Sequence, residues 1–166
     1  MSLHEINSNN IEDVHALLEG CCCAPAWIES MIAARPFINA TALFNTSIHA
    51  FAQLTESDYL VAFAGHPQIG NLQSLHKKYA STSDSASHEQ SGMSEAKKSL
   101  LETMQTLNTE YKNKFGFIFI VCASGKSAQS MLDLINCRIN NNRQTELIIA
   151  SNEQAKITQI RLEKLL

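Results

Sequence analysis

The stretch Gly65-His66-Pro67-Gln68-Ile69-Gly70 presents a single imidazole between two glycines. Proline fixes its own φ and disfavours the α conformation in the residue before it, so His66 is expected in extended backbone at a rigid corner. The glycines permit sharp turns and the close approach of another group. Because the pKa of an unperturbed imidazole lies near neutrality, His66 is a candidate general acid or base. A structural histidine in a loop is the alternative.

Glu89 is the candidate partner of this imidazole. A carboxylate beside a histidine sets its tautomer and stabilises its charged form. The sequence alone does not show whether the two side chains meet, so their pairing is a hypothesis.

A second candidate site, Ser124-Gly125-Lys126-Ser127, is similar to the end of a phosphate-binding P-loop. It follows an apolar run and precedes a helical segment. The complete pattern requires a glycine five positions before Gly125, where this chain has Ile120. The backbone cradle is therefore incomplete, and a helix cap with a solvated lysine explains the same residues.

Arg161 and the cysteines are weaker candidates. Arg161 lies one position from an apolar helical stripe, where it could clamp a carboxylate or simply be solvated or paired on the helix surface. The five cysteines are an odd number and include no Cys-x-x-Cys pair. We therefore expect reduced thiols, and neither a disulfide framework nor a metal site.

Length and composition indicate one compact domain over residues 1–166. The net charge of -3 lacks the basic excess of a nucleic-acid-binding protein. No apolar run approaches the roughly 20 residues that a membrane-spanning helix needs, and no signal peptide is recognised at the N-terminus. Neither a nucleic-acid nor a membrane partner is expected.

The elements that must position these groups are mainly helical. Apolar residues recurring at intervals of three and four predict about eight helices. They cover residues 11–18, 25–34, 42–54, 56–63, 71–79, 88–111, 127–138 and 145–166. The serine-rich stretch at 81–87 is a loop by composition.

The apolar run Phe117–Ala123 consists of good strand formers, yet the chain contains no comparable strand to pair with it. We therefore expect a buried extended segment threaded between helices. Its peptide groups need hydrogen-bond partners from elsewhere, which could include a ligand.

Taken in order, several stretches resemble the 2-oxo-4-hydroxy-4-carboxy-5-ureidoimidazoline (OHCU) decarboxylase family of the urate-to-allantoin pathway. They are Trp27 followed by Arg35-Pro36-Phe37, Gly65-His66-Pro67-x-Ile69-Gly70, Glu89-Gln90, Lys114-Phe115-Gly116-Phe117-x-Phe119-Ile120, and Arg161-Leu162. The match covers nearly the whole chain. Unrelated helical proteins have no reason to share all of these stretches in this order.

The resemblance implies an all-α fold of a single compact domain, without a regular sheet. It implies that His66 is catalytic, with Glu89 beside it. The residues that it implies at the substrate site are Pro67, Gln90, the backbone of Phe119, Ile120, Val121, Cys122 and Ala123, and Arg161. The family usually has a serine three residues before the glutamate; this chain has Ala86 there, so Ser85 and Ser87 are both candidates for that contact.

The implied reaction is the decarboxylation of OHCU to (S)-allantoin. The substrate carries its own electron sink, a C=N bond beside the carboxylate-bearing carbon, so neither a metal nor an organic cofactor is expected. The resemblance also implies a homodimer. The C-terminal Lys164-Leu165-Leu166 is not the peroxisomal Ser-Lys-Leu signal, which favours the cytoplasm. The alternatives are a nucleotide-binding protein built on Gly125-Lys126-Ser127 and a non-catalytic helical interaction module.

Overall fold

The computed structural model describes residues 2–66 and 90–166, with the side chains of the second stretch described from residue 98 onward. These residues fall into two compact units. The first unit holds residues 2–66, 120–122 and 147–166, and the second holds 90–119 and 123–146. The single domain expected over 1–166 stays a prediction.

The described residues form helices and no strand, which confirms the all-α prediction. The first unit contains α1 (Leu3–Ser8), α2 (Ile11–Glu19), α3 (Pro25–Ala33), α4 (Ala40–Ala52) and α5 (Glu56–Ala64). The second contains α6 (Gln90–Phe115) and α7 (Ala128–Arg138), while α8 (Arg143–Leu165) begins in the second unit and continues in the first. The helix predicted at 71–79 lies outside the described residues. No described helix is long and apolar enough to cross a membrane.

The ends of the helices follow from local side chains. Asn10 caps α2 by accepting the Asp13 N–H at 2.9 Å, and Thr55 forms a reciprocal capping box with Asp58 at the start of α5. Pro25 opens α3, where its missing N–H costs no hydrogen bond. The helix α1 was not predicted, although Ser2 and Glu5 form a capping box that marks its start.

The core of the first unit surrounds Trp27, which is fully buried and donates its indole N–H to the Ser47 carbonyl at 3.3 Å. Arg35 and Phe37 fasten the turn after α3 to the N-terminal helix. Arg35 Nη1 donates to the Ile6 carbonyl at 2.9 Å, and the Asn7 amide both donates to and accepts from the Phe37 backbone. These family-like residues therefore have a structural role.

The second unit contains a cluster of tilted and edge-to-face aromatic rings beside a buried ion pair. Tyr111 contacts the rings of Phe115, Phe117 and Phe119. Arg138 lies over the Phe119 ring, 4.6 Å from its centroid, and pairs with the fully buried Glu146 at 2.5 Å. The aromatic cluster and the ion pair thus meet at Phe119.

The segment from Phe117 to Ala123 is neither helix nor strand, as the sequence predicted. Phe117, Phe119, Ile120 and Val121 are buried, and Ile118, Cys122 and Ala123 are half-buried. Most of this apolar run therefore serves as core.

Candidate active site

His66 follows α5 directly, in the first unit. Gly65 ends the helix, and the His66 N–H donates to the Phe63 carbonyl at 3.1 Å. A Cβ added at Gly65 would overlap Cys23 Sγ and lie 3.0 Å from Cys23 Cβ. A side chain at position 65 would therefore require Cys23 or the adjoining backbone to shift, so the absence of a Cβ allows this close approach.

The half-buried imidazole of His66 has one hydrogen-bond partner among the described residues, Gln154 of α8. His66 Nε2 lies 2.5 Å from Gln154 Oε1. Gln154 Nε2 donates to Thr158 Oγ1 at 3.3 Å, and Thr158 Oγ1 donates to the Gln154 carbonyl at 3.0 Å. A chain of three side chains therefore extends from His66 into the buried face of α8.

Burial lowers the pKa of His66 from its ordinary value of 6.5, and the positive charge of Arg161 lowers it further. The hydrogen bond to Gln154 acts in the opposite direction but is outweighed. The neutral imidazole is therefore the dominant form at neutral pH, which is the form that accepts a proton.

Arg161 Nη1 donates to the carbonyls of Gly20 and Cys21, at 3.3 and 3.2 Å. These bonds tie α8 to the end of α2. Burial raises the pKa of the Cys21 thiol to about 11, so this cysteine is a poor nucleophile at neutral pH. The structure thus gives Arg161 a positioning role and an electrostatic influence on His66.

The segment around Cys122 has an anchor that the sequence did not reveal. The Cys122 N–H donates to Glu153 Oε2 at 2.8 Å, and Glu153 Oε1 pairs with Lys156 Nζ at 2.5 Å. Ile120, Val121 and Cys122 share the first unit with His66 and Arg161, whereas Phe119 and Ala123 belong to the second.

Several predicted site residues cannot be placed. Pro67, Ser85, Ser87 and Glu89 lie outside the described residues. Gln90 opens α6, but its side chain also lies outside them. The pairing of His66 with Glu89 stays a prediction.

A cavity of about 620 Å³ opens in the first unit, against α8. Its walls include Phe51, Tyr59, Cys122, Lys156 and Thr158. Thr158 is also bonded to Gln154, so two side chains link the cavity wall to His66. The volume lies within the range of about 300–1,000 Å³ that is usual for ligand pockets.

The alternative nucleotide and metal sites have less support from the structure. A nucleotide site on Gly125-Lys126-Ser127 would need a sheet, and the described residues contain no strand. Ser127 Oγ accepts the Ser130 N–H at 3.1 Å, which makes it the cap of α7. Among the described residues, no cluster of three or more histidine, cysteine or acidic side chains could hold a metal ion.

The fold and the site define an all-α protein with a half-buried histidine, His66, hydrogen-bonded to a buried glutamine of α8. The chain belongs to the OHCU decarboxylase family, whose family model matches residues 7–163. The family resemblance seen in the sequence is thereby confirmed. Named members of this family are decarboxylases, that is, carboxy-lyases.

Individual relatives agree with this assignment. The chain is 36% identical over 145 residues to the uric acid degradation bifunctional protein TTL of Arabidopsis thaliana, covering 87% of this chain and 45% of that protein. It is 26% identical over 168 residues to 2-oxo-4-hydroxy-4-carboxy-5-ureidoimidazoline decarboxylase of Xenopus laevis, covering 98% and 93%. The chain thus spans less than half of the bifunctional plant protein.

The structure is also similar to a crystal structure of OHCU decarboxylase in the presence of (S)-allantoin. The TM-score is 0.73 at 32% sequence identity, covering 95% of this chain and 98% of the other. The fold is therefore that of an OHCU decarboxylase.

Proposed function

We propose that this protein decarboxylates OHCU to (S)-allantoin without a cofactor, with His66 as the general acid and base. The observation that carries the proposal is the half-buried imidazole of His66, hydrogen-bonded to Gln154 at the end of α5 in a chain of this family. The relative crystallised in the presence of (S)-allantoin supports the product.

The chemistry requires little more than positioning and proton transfer. When the bond to the carboxylate breaks, carbon dioxide leaves and its electron pair forms a double bond to the neighbouring ring carbon, while the electrons of the C=N bond move to the nitrogen, which takes a proton from solvent. His66 then takes the proton of the substrate hydroxyl, whose carbon becomes a carbonyl, and a proton is delivered to one face of the neighbouring carbon. The protein orients the substrate and controls the face of protonation.

Other predicted residues have supporting parts in this proposal. Glu89 holds the imidazole or hydrogen-bonds the ureido group. Backbone N–H groups between Phe119 and Ala123 donate to substrate oxygens, although that of Cys122 is bonded to Glu153 in this structure. Arg161 supplies positive charge near His66, which favours an anionic substrate.

The test is to generate OHCU in situ from urate and to follow optically active allantoin by circular dichroism. We expect the wild-type protein to accelerate its formation and His66→Asn to lose about 10²–10⁴-fold of that acceleration. His15→Asn, at an exposed position of α2, is the matched control and should retain full activity. Stereospecific turnover retained by His66→Asn would overturn the role given to the imidazole.

A cytoplasmic location and a homodimer are part of the same proposal. Ile38 and Ile48 are large apolar side chains that are 88% and 60% exposed, which is compatible with a surface that a second copy covers. Light scattering coupled to size-exclusion chromatography measures the oligomeric state, and fractionation of the source cells measures the location.

A further inference from the structure

The Gln154 amide lies between His66 and Thr158, buried from solvent. Gln154 is fully buried and Thr158 is 1% exposed. Both lie on α8, one turn apart, on the same buried face as Ala150 and Leu162. Polar groups on a buried stripe are costly unless each is hydrogen-bonded, so the direction of each bond here is constrained.

The Thr158 hydroxyl determines the orientation of the amide. A hydroxyl has one proton to donate, and that of Thr158 goes to the Gln154 carbonyl at 3.0 Å. Its oxygen is then an acceptor for the Gln154 side chain, 3.3 Å away. Only the NH₂ group of the amide can donate, so Nε2 faces Thr158 and Oε1 faces His66.

This orientation assigns the proton on the imidazole. Gln154 Oε1 can only accept a hydrogen bond, and it lies 2.5 Å from His66 Nε2. His66 Nε2 must therefore carry the hydrogen, which leaves the lone pair of the neutral ring on Nδ1.

We infer that Gln154, oriented by Thr158, is a positioning residue that holds His66 in its Nε2–H tautomer and makes Nδ1 the atom that exchanges protons with the substrate. The inference deepens the proposed function and rests on it. It assigns a role to two residues of α8 that carry no ionisable group, and it fixes which edge of the imidazole faces the reacting atoms.

The direct test is the nitrogen chemical shifts of His66 in protein labelled with ¹⁵N-histidine, measured above the pKa of the ring. The His66 signals are assigned by their loss in His66→Asn. We expect a protonated Nε2 and an unprotonated Nδ1 in the wild-type protein. The opposite tautomer, with hydrogen on Nδ1, would overturn the inference without any variant of α8 having to fold.

Variants of Gln154 test the consequence for catalysis. Gln154→Met keeps the length of the side chain but removes the acceptor, so we expect mixed tautomers and a kcat about 10–100-fold lower, with KM little changed. Gln154→Glu retains an acceptor and should retain the Nε2–H tautomer. Gln129→Met is the matched control, because Gln129 is exposed on α7 in the second unit, and it should change neither the tautomer nor the kinetics.

Failure of this inference and failure of the proposed function have different signatures. If the wild-type protein accelerates allantoin formation but shows the Nδ1–H tautomer, the positioning role of Gln154 is excluded and the proposed function stands. If the wild-type protein has the Nε2–H tautomer but no activity on OHCU, the proposed decarboxylase function is excluded. A Gln154→Met protein that is folded, shows wild-type nitrogen shifts and has wild-type kcat also excludes the positioning role.

Discussion

The backbone N–H of Cys122 donates to the carboxylate of Glu153, 2.8 Å away on α8. One acidic side chain of a helix thereby holds a segment that has neither helical nor strand hydrogen bonds of its own. The same helix carries Gln154, the partner of His66. Consecutive residues of α8 thus hold two pieces of the candidate active site.

Removing the Glu153 carboxylate should loosen this segment. We expect Glu153→Ala to lower the free energy of unfolding by about 1–3 kcal/mol, because the half-buried Cys122 N–H loses its acceptor. Glu153→Gln retains an acceptor and should cost less. Urea denaturation measures both, with the exposed Glu163→Ala as control. Equal losses for Glu153→Ala and Glu163→Ala would contradict the anchoring role.

The buried pair of Arg138 and Glu146 should be sensitive to the loss of one partner. Glu146 also accepts hydrogen bonds from Tyr111 and Asn141, so both oxygens of its carboxylate are hydrogen-bonded. Glu146→Leu removes the carboxylate that pairs with the buried Arg138 guanidinium, and we expect a loss of about 3–5 kcal/mol. The double variant Arg138→Met/Glu146→Leu removes both charges and should be more stable than Glu146→Leu alone. Denaturant unfolding measures the stability of both variants. A double variant that is less stable than Glu146→Leu would show that the charge left on Arg138 is not the cause of the loss.

The lowered pKa of His66 predicts a pH dependence of stability. The ring binds a proton more weakly in the folded protein than in the unfolded chain, whose histidines titrate near 6.5. The unfolded state therefore binds more protons as the pH falls below 6.5, and folding stability is lost in that direction. Above 6.5 the group is neutral in both states and contributes no slope.

Comparison with His66→Asn isolates this contribution. Denaturation curves recorded between pH 5 and pH 8 should show the wild-type protein losing stability relative to the variant as the pH is lowered. A difference in unfolding free energy that does not vary with pH would mean that the imidazole is not desolvated as described.

The close approach of Gly65 and Cys23 predicts a rescue. Gly65→Ala adds a methyl group that overlaps Cys23 Sγ, and we expect it to cost about 1–3 kcal/mol through displacement of the chain or the side chain. Cys23→Ala removes the sulfur, so the double variant should recover much of that loss. Thermal unfolding of the four proteins of this cycle measures the coupling. Additive effects of the two substitutions would show that the contact is unimportant.

The sequence predicted most of the helices because their apolar spacing and caps are local signals. The helix starts predicted at residues 11 and 25 are confirmed, and the extended segment after Gly116 was recognised because no strand could pair with it. The helix α1 was missed because it is short, although Ser2 and Glu5 form a capping box.

The partners of the site residues were not predictable in the same way. Gln154 and Glu153 are polar positions on a long helix, and only the fold determines which side chain faces His66 or Cys122. Residues 146, 150, 154, 158 and 162 follow one another at intervals of four, but that all five are buried is seen only in the structure. Three of them, Glu146, Gln154 and Thr158, are polar, which marks the stripe as more than core.

The one tryptophan of the chain gives the protein a built-in optical reporter. Trp27 is fully buried in the first unit, with its indole N–H bonded to Ser47, so its emission should shift to longer wavelength only when that unit opens. Far-ultraviolet ellipticity sums over the helices of both units. Recording the two signals on one sample therefore separates the melting of the half that carries His66 from the melting of the rest.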